Sequence, residues 1–176
     1  LSLGDLVQGM AARAHPALLI LFALPNTLPG IPGTSAVLGV PLIFLTLQQA
    51  LGRDPWLPGI IARRSIGRKA LRSVLTRALP WLRKGESYLR PRLLPLTGKL
   101  AERLIGLISV VLSLIIMLPI PFGNMIPALA IICFSLALME KDGVWTLAGA
   151  VLAAASLLIA STVLWALLKA GIFLVI

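Results

Sequence analysis

The chain has 176 residues, 59% of them hydrophobic and only 12% charged, with a mean hydropathy of +0.99 and a formal net charge of +10. So apolar a composition excludes an ordinary soluble domain, and the length leaves room for one membrane domain but no separate catalytic one. The charge is not spread out: 13 of the 16 basic residues lie between Arg53 and Arg103 with three acids, and the rest of the chain balances to zero.

Residues 1–15 alternate apolar and polar groups at helical spacing and predict a helix lying along a membrane surface, ending before Pro16, which disfavours helix at His15. They carry Asp5, Gln8, Arg13 and His15 and lack the basic start and apolar core of a cleavable signal; without an initiator Met the chain reads as trimmed or partial. Residues 17–52 form a first apolar segment that Pro25, Pro29, Pro32, Gly30 and Gly33 must interrupt. An interruption in hydrocarbon survives only where protein or a wet cavity covers the freed backbone. The expectation is a broken-helix or re-entrant hairpin, with Ser35 to Leu51 as its second arm and Thr34 or Ser35 as N-cap.

Residues 53–98 differ in kind. From Gly67 to Lys84 apolar residues fall on one helical face and cations mostly on the other. This predicts a basic amphipathic helix at the interface, with Arg63, Arg64, Arg68, Lys69, Arg72 and Arg77 offered to anionic lipid headgroups. By the excess of Lys and Arg the stretch from residue 53 to 103 is cytoplasmic. Residues 99–143 repeat the earlier plan: a helix from Lys99 to Leu118, a break at Pro119, Pro121, Gly123, Asn124 and Pro127, and a second apolar arm to Met139. Residues 144–176 complete the single membrane domain with a C-terminal transmembrane helix, long enough to span from Val144 to Leu168.

The two broken segments align. Leu24-Pro25 corresponds to Leu118-Pro119, Gly33 to Gly123, Thr34 to Asn124 and Phe44 to Phe134, and each arm ends in a charged turn, Arg53-Asp54 or Lys141-Asp142. The fold expected is therefore an all-α integral membrane protein with an internal, inverted repeat of two broken-helix hairpins joined by the basic link. Interrupted helices at matching positions point to a binding site near the bilayer midplane. Helices starting at the breaks turn free N–H groups and positive dipole ends inward, which favours an anion. Asn26, Thr27, Gly33, Thr34, Ser35, Gly123 and Asn124 are the candidate ligand residues; the simpler reading of each is a cap that satisfies the backbone.

Other chemistries find little support. The pI near 11.4 suggests nucleic acid, but the aromatic platforms and motifs of such modules are missing. The lone Cys133 permits no intramolecular disulfide. Six acids, all outside the apolar cores, and one histidine are a poor supply for metal or acid–base catalysis, so neither an enzyme, a cofactor nor a metal is expected. His15 has no partner ligands in sequence and defaults to packing or the interface. No ionisable group lies inside the apolar runs, which argues against strong proton coupling unless the fold draws an end group inward.

The stretches LFALPNTLPGIPGTSAVLGVPLIFLTLQQALGR, PWLP, LTGKLAERLIG and LPIPFGNMIPALAI, with the basic link between them, resemble the bacterial exopolysaccharide synthesis ExoD family over nearly the whole chain. The resemblance implies a multi-pass inner-membrane protein associated with exopolysaccharide production and, in some bacteria, with alkaline tolerance; it implies no reaction. Three functions stay open. One is a homodimeric protein that binds or translocates an anionic lipid-linked intermediate, such as a polyprenyl-phosphate-linked sugar. The others are a non-catalytic scaffold or regulator of a polysaccharide assembly complex, and an ion or small-solute pathway.

Overall fold

A computed structural model describes residues 14–27, 34–55, 91, 93–118 and 123–175. The described residues form five α-helices, α1 (Ala14–Ala23), α2 (Thr34–Ala50), α3 (Lys99–Met117), α4 (Met125–Glu140) and α5 (Gly143–Val175), and two short 3-10 turns at Leu24–Thr27 and Leu94–Thr97. They contain no strand, as expected. The interfacial segment up to Arg13 and the basic amphipathic stretch from Trp56 to Arg90 lie outside them.

α4 is apolar all round and is the central helix, as a helix without a polar face must be. Residues Pro127 to Ala137 are buried apart from Leu129, and α1, α3 and α5 pack around it. α2 pairs with α3 along most of its length. The pairing is antiparallel: Gly39 meets Met117, Thr46 meets Ser113, Ala50 meets Gly106 and Gly52 meets Arg103. α3 buries the stripe Ile105, Ser109, Leu112, Ser113 and Ile116, spaced three or four residues apart, and exposes Leu100, Leu104, Leu107, Val111 and Leu114 on its other side.

The helix ends follow from local chemistry. α1 is described from Ala14 and takes in His15 and Pro16, against the expectation that Pro16 ends helical structure at His15. Pro127 sits in the first turn of α4, where the missing N–H is no loss, while Pro41 lies eight residues into α2 and is absorbed at a buried position. α2 closes on Gly52 at φ 65, the left-handed conformation that glycine adopts without strain, and the Arg103 guanidinium covers that end. α4 closes on Lys141 at φ 54, with the Asp142 N–H donating to Ala137 O at 3.0 Å. The Asp142 carboxylate then accepts from the Val144 N–H at 3.0 Å and starts α5.

Among the described residues two helices are long and apolar enough to cross a membrane, Lys99–Met117 and Gly143–Ile172. α5 runs to Val175, through the C-terminal segment expected over residues 144–176, and Lys169 lies back over the Trp165 ring, 4.0 Å from its centroid.

Candidate functional site

Helix directions sort the chain's chemistry into two ends. His15, at the start of α1, reaches Leu45 near the end of α2, so these two helices are antiparallel, as are α2 and α3. α4 and α5 are antiparallel too, with Gly149 against the Phe134 ring, and the Thr146 hydroxyl donates to Leu96 O at 3.4 Å. One end of the bundle therefore gathers His15, Arg53, Asp54, Lys99, Glu102, Arg103 and the turn Lys141-Asp142. The described residues that flank the two breaks, the ends of α1 and α3 and the starts of α2 and α4, lie at the opposite end. α1 and α3 run in the same direction, so these helices do not show the inverted arrangement expected. The basic link leaves the bundle after Asp54-Pro55, at the charged end.

At the break end, Asn26 is buried and its Nδ2 donates to Phe22 O at 3.0 Å, and the Thr27 hydroxyl donates to Leu24 O at 2.7 Å. Each side chain thus donates one hydrogen to its own backbone, and the Asn26 amide has a second N–H besides. Thr34 is the first residue of α2 and Ser35 the second. Asn124 precedes α4 and makes no side-chain cap bond; its Oδ1 is buried without a partner, while Gly123 beside it is half-buried. Gly33 and the six cations Arg63, Arg64, Arg68, Lys69, Arg72 and Arg77 lie outside the described residues.

The charged end holds a residue that sequence spacing undervalues. His15 is buried, and its Nε2–H donates to Leu45 O at 2.8 Å. Burial pushes the imidazole below its ordinary value of 6.5, with the Leu45 carbonyl, Glu102 and Asp54 pulling the other way. His15 lies outside the two described helices that are long and apolar enough to span. An unfolded chain takes up a proton at His15 near pH 6.5, whereas the folded one resists to lower pH. Stability is therefore expected to be full above pH 6.5 and to fall as the pH drops from there through the lowered value. Thermal melts between pH 8 and pH 5, on the order of three units, check this: the His15→Gln variant should show a flatter profile than the parent.

Between the two ends, α2 and α3 share a polar seam. Thr46 and Gln49 face Ser109 and Ser113, all four buried, and the Thr46 and Ser113 oxygens are 3.5 Å apart. Thr46 also donates to Leu42 O at 2.8 Å, and Ser113 to Ser109 O at 2.7 Å. In the sequence this set is marked only by spacings of three and four residues between polar groups in apolar runs. Among the described residues no three His, Cys, Asp or Glu side chains converge as a metal would require.

The model of a family described as "Exopolysaccharide synthesis, ExoD" matches residues 1–162. The chain belongs to the ExoD family. The "Protein ExoD" of Rhizobium meliloti (strain 1021) is 33% identical over 178 aligned residues, covering 98% of this chain and 72% of that protein. A second ExoD-like relative, "Uncharacterized protein slr1875" of Synechocystis sp. (strain ATCC 27184 / PCC 6803 / Kazusa), is 29% identical over 160 residues, 89% of this chain and 76% of its own. No solved structure matches this ExoD-family chain.

Proposed function

We propose that this ExoD-family protein is a multi-pass membrane protein acting in exopolysaccharide synthesis, and that it binds or translocates an anionic lipid-linked intermediate at its two breaks. The observation that carries the reading is the convergence of both breaks at one end. α2 and α4 both start there and run toward the charged end, so two positive helix N-termini share that end, and neither helix has an acidic residue in its first turn. Such an end stabilises a phosphate-sized anion.

The bilayer setting rests on exposure. α5 is strongly apolar, yet only 11% of its most hydrophobic window is covered by protein, and the outer face of α3 is leucine and valine. A soluble bundle would pay a hydration penalty over that whole surface, at about 25 cal/mol per Å². The pairing of Gly149 with Phe134 puts the start of α4 level with roughly the middle of α5. α5 then continues without a charge, Lys169 apart, for about 25 Å past the breaks. Apolar surroundings on both sides of the breaks support their placement at depth.

Duplication is supported by two features. α2 ends at Ala50 and α4 at Glu140, ninety positions apart, the same offset that separates Gly33 from Gly123 and Phe44 from Phe134. Exchanging α1 with α3 and α2 with α4 also maps the packing onto itself, since α1 lies on α4 as α3 lies on α2. A parallel repeat related by an axis along the bundle accounts for both. The basic link, rooted at the other end, marks the cytoplasmic leaflet and draws anionic lipid to it.

Native mass spectrometry of protein gently extracted from its own membrane tests the reading. The expected spectrum is a dimer retaining a polyprenyl-phosphate or another specific anionic lipid, with the lipid lost in Asn124→Ala. A protein free of any lipid preference overturns the carrier reading in favour of a scaffold.

A further inference from the structure

Gln49 is the most costly residue in the bundle on hydrogen-bonding grounds. It is 2% exposed, and neither its amide nitrogen nor its carbonyl oxygen has a hydrogen-bond partner. Opposite it on α3, the Ser109 hydroxyl is 1% exposed and equally unpartnered. A buried amide group without partners is strongly unfavourable, and native proteins satisfy such groups almost without exception. Both orphans lie at one level of one seam, because α2 and α3 run antiparallel with Thr46 against Ser113 and Ala50 against Gly106.

We propose that the α2–α3 seam at Gln49 and Ser109 is a water-binding site, filled from the charged end past His15. Water is the ligand whose chemistry fits: it donates and accepts at once, and an amide oxygen, an amide N–H and a hydroxyl together offer the two to four contacts a buried water makes. An ion fits badly, since neither orphan is charged. A larger polar molecule has no room where the backbones of Gln49, Ala50 and Gly106 meet in van der Waals contact. The entrance follows from the helix geometry. In an α-helix the carbonyl of residue 45 points at the amide of residue 49, and His15 donates to that carbonyl. The His15 ring therefore stands one turn from Gln49, on the side where Asp54 and Glu102 act on it electrostatically. From there the file continues toward the break end through Thr46 and Ser113, whose oxygens still have lone pairs to accept a further bond.

Thiol accessibility tests the site in the full chain reconstituted in liposomes. Modification of a thiol needs water to form the thiolate. Cys133, buried in the central helix α4, is the internal reference. With hydrogen peroxide as a probe close to water in size and intact-mass spectrometry as readout, Ser109→Cys is expected to be oxidised to the sulfenic acid at least tenfold faster than Cys133. Equal inertness of the two thiols overturns the proposal, including the case in which Gln49 and Ser109 simply bond to each other. A second variant guards against a folding failure. Gln49→Met keeps the length of the side chain and removes both polar atoms. A dry orphan predicts a higher Tm for it, which refutes the site; a hydrated seam predicts a lower one, because the water loses its main partner.

Discussion

Gly106→Ala is expected to be the most damaging small substitution in the chain, although alanine is the better helix former. A Cβ built at Gly106 lies 2.5 Å from the Ala50 nitrogen, 2.8 Å from the Ala50 Cα and 2.9 Å from the Gln49 carbonyl carbon. These are backbone atoms, so no side-chain rotation relieves the clash and the two helices must move apart. Helix propensity favours the variant by about 1 kcal/mol. Overpacking opposes it by about 1–3 kcal/mol and sometimes more. The upper part of that range applies, because separation also loosens Gly39 against Met117 and Thr46 against Ser113 further along the seam. We expect a net loss of about 2 kcal/mol, read as a lower midpoint in denaturant titration of the detergent-solubilised protein. An unchanged or raised midpoint would mean that α2 and α3 do not meet at Gly106. Small residues at close helix crossings are what membrane helices use where no hydrophobic driving force holds them together.

Along the chain the arms were legible and their mutual arrangement was not. Apolar runs bounded by proline and glycine place α2 and α3 within a residue of their observed ends, because helix length and breakers act locally. Pro16 misled because the bias a proline places on the residue before it is a preference and not a prohibition, and His15 is helical all the same. Direction is a different matter. Nothing in residues 17–52 or 99–143 says that α1 and α3 point the same way; that depends on the paths between them.

The candidate site divides along the same line. Asn26 and Thr27, chosen for their donors, bond to carbonyls three or four residues back, a local competition that such side chains commonly win. Asn124, by contrast, keeps a buried oxygen without a hydrogen-bond partner among the described residues. His15 and Gln49 were undervalued because their meaning is relational. A lone histidine beside a proline and a glutamine at the end of an apolar run say little until α1 is laid on α2 and α2 on α3. The bond from His15 to Leu45 is visible only once the two helices are paired.

Gly149→Ala should separate α4 from α5, and the partner responsible is identifiable. Its Cβ would stand 2.7 Å from Cδ1 and 2.9 Å from Cε1 of Phe134, a ring that is itself 1% exposed and held by the core. A flexible side chain would swing aside; a buried ring has nowhere to go without moving its own neighbours. The expected cost is about 1–2 kcal/mol after the helix-propensity gain is subtracted. Phe134→Leu alone leaves a void and is expected to destabilise as well, by about 1–3 kcal/mol. Together the two should be less harmful than the sum of the single changes, since the smaller side chain vacates the volume that the new methyl occupies. A favourable coupling of about 1 kcal/mol in the double-mutant cycle is the expected signature. Strict additivity would place Gly149 and Phe134 apart, and with them the antiparallel register that sets the breaks level with the middle of α5.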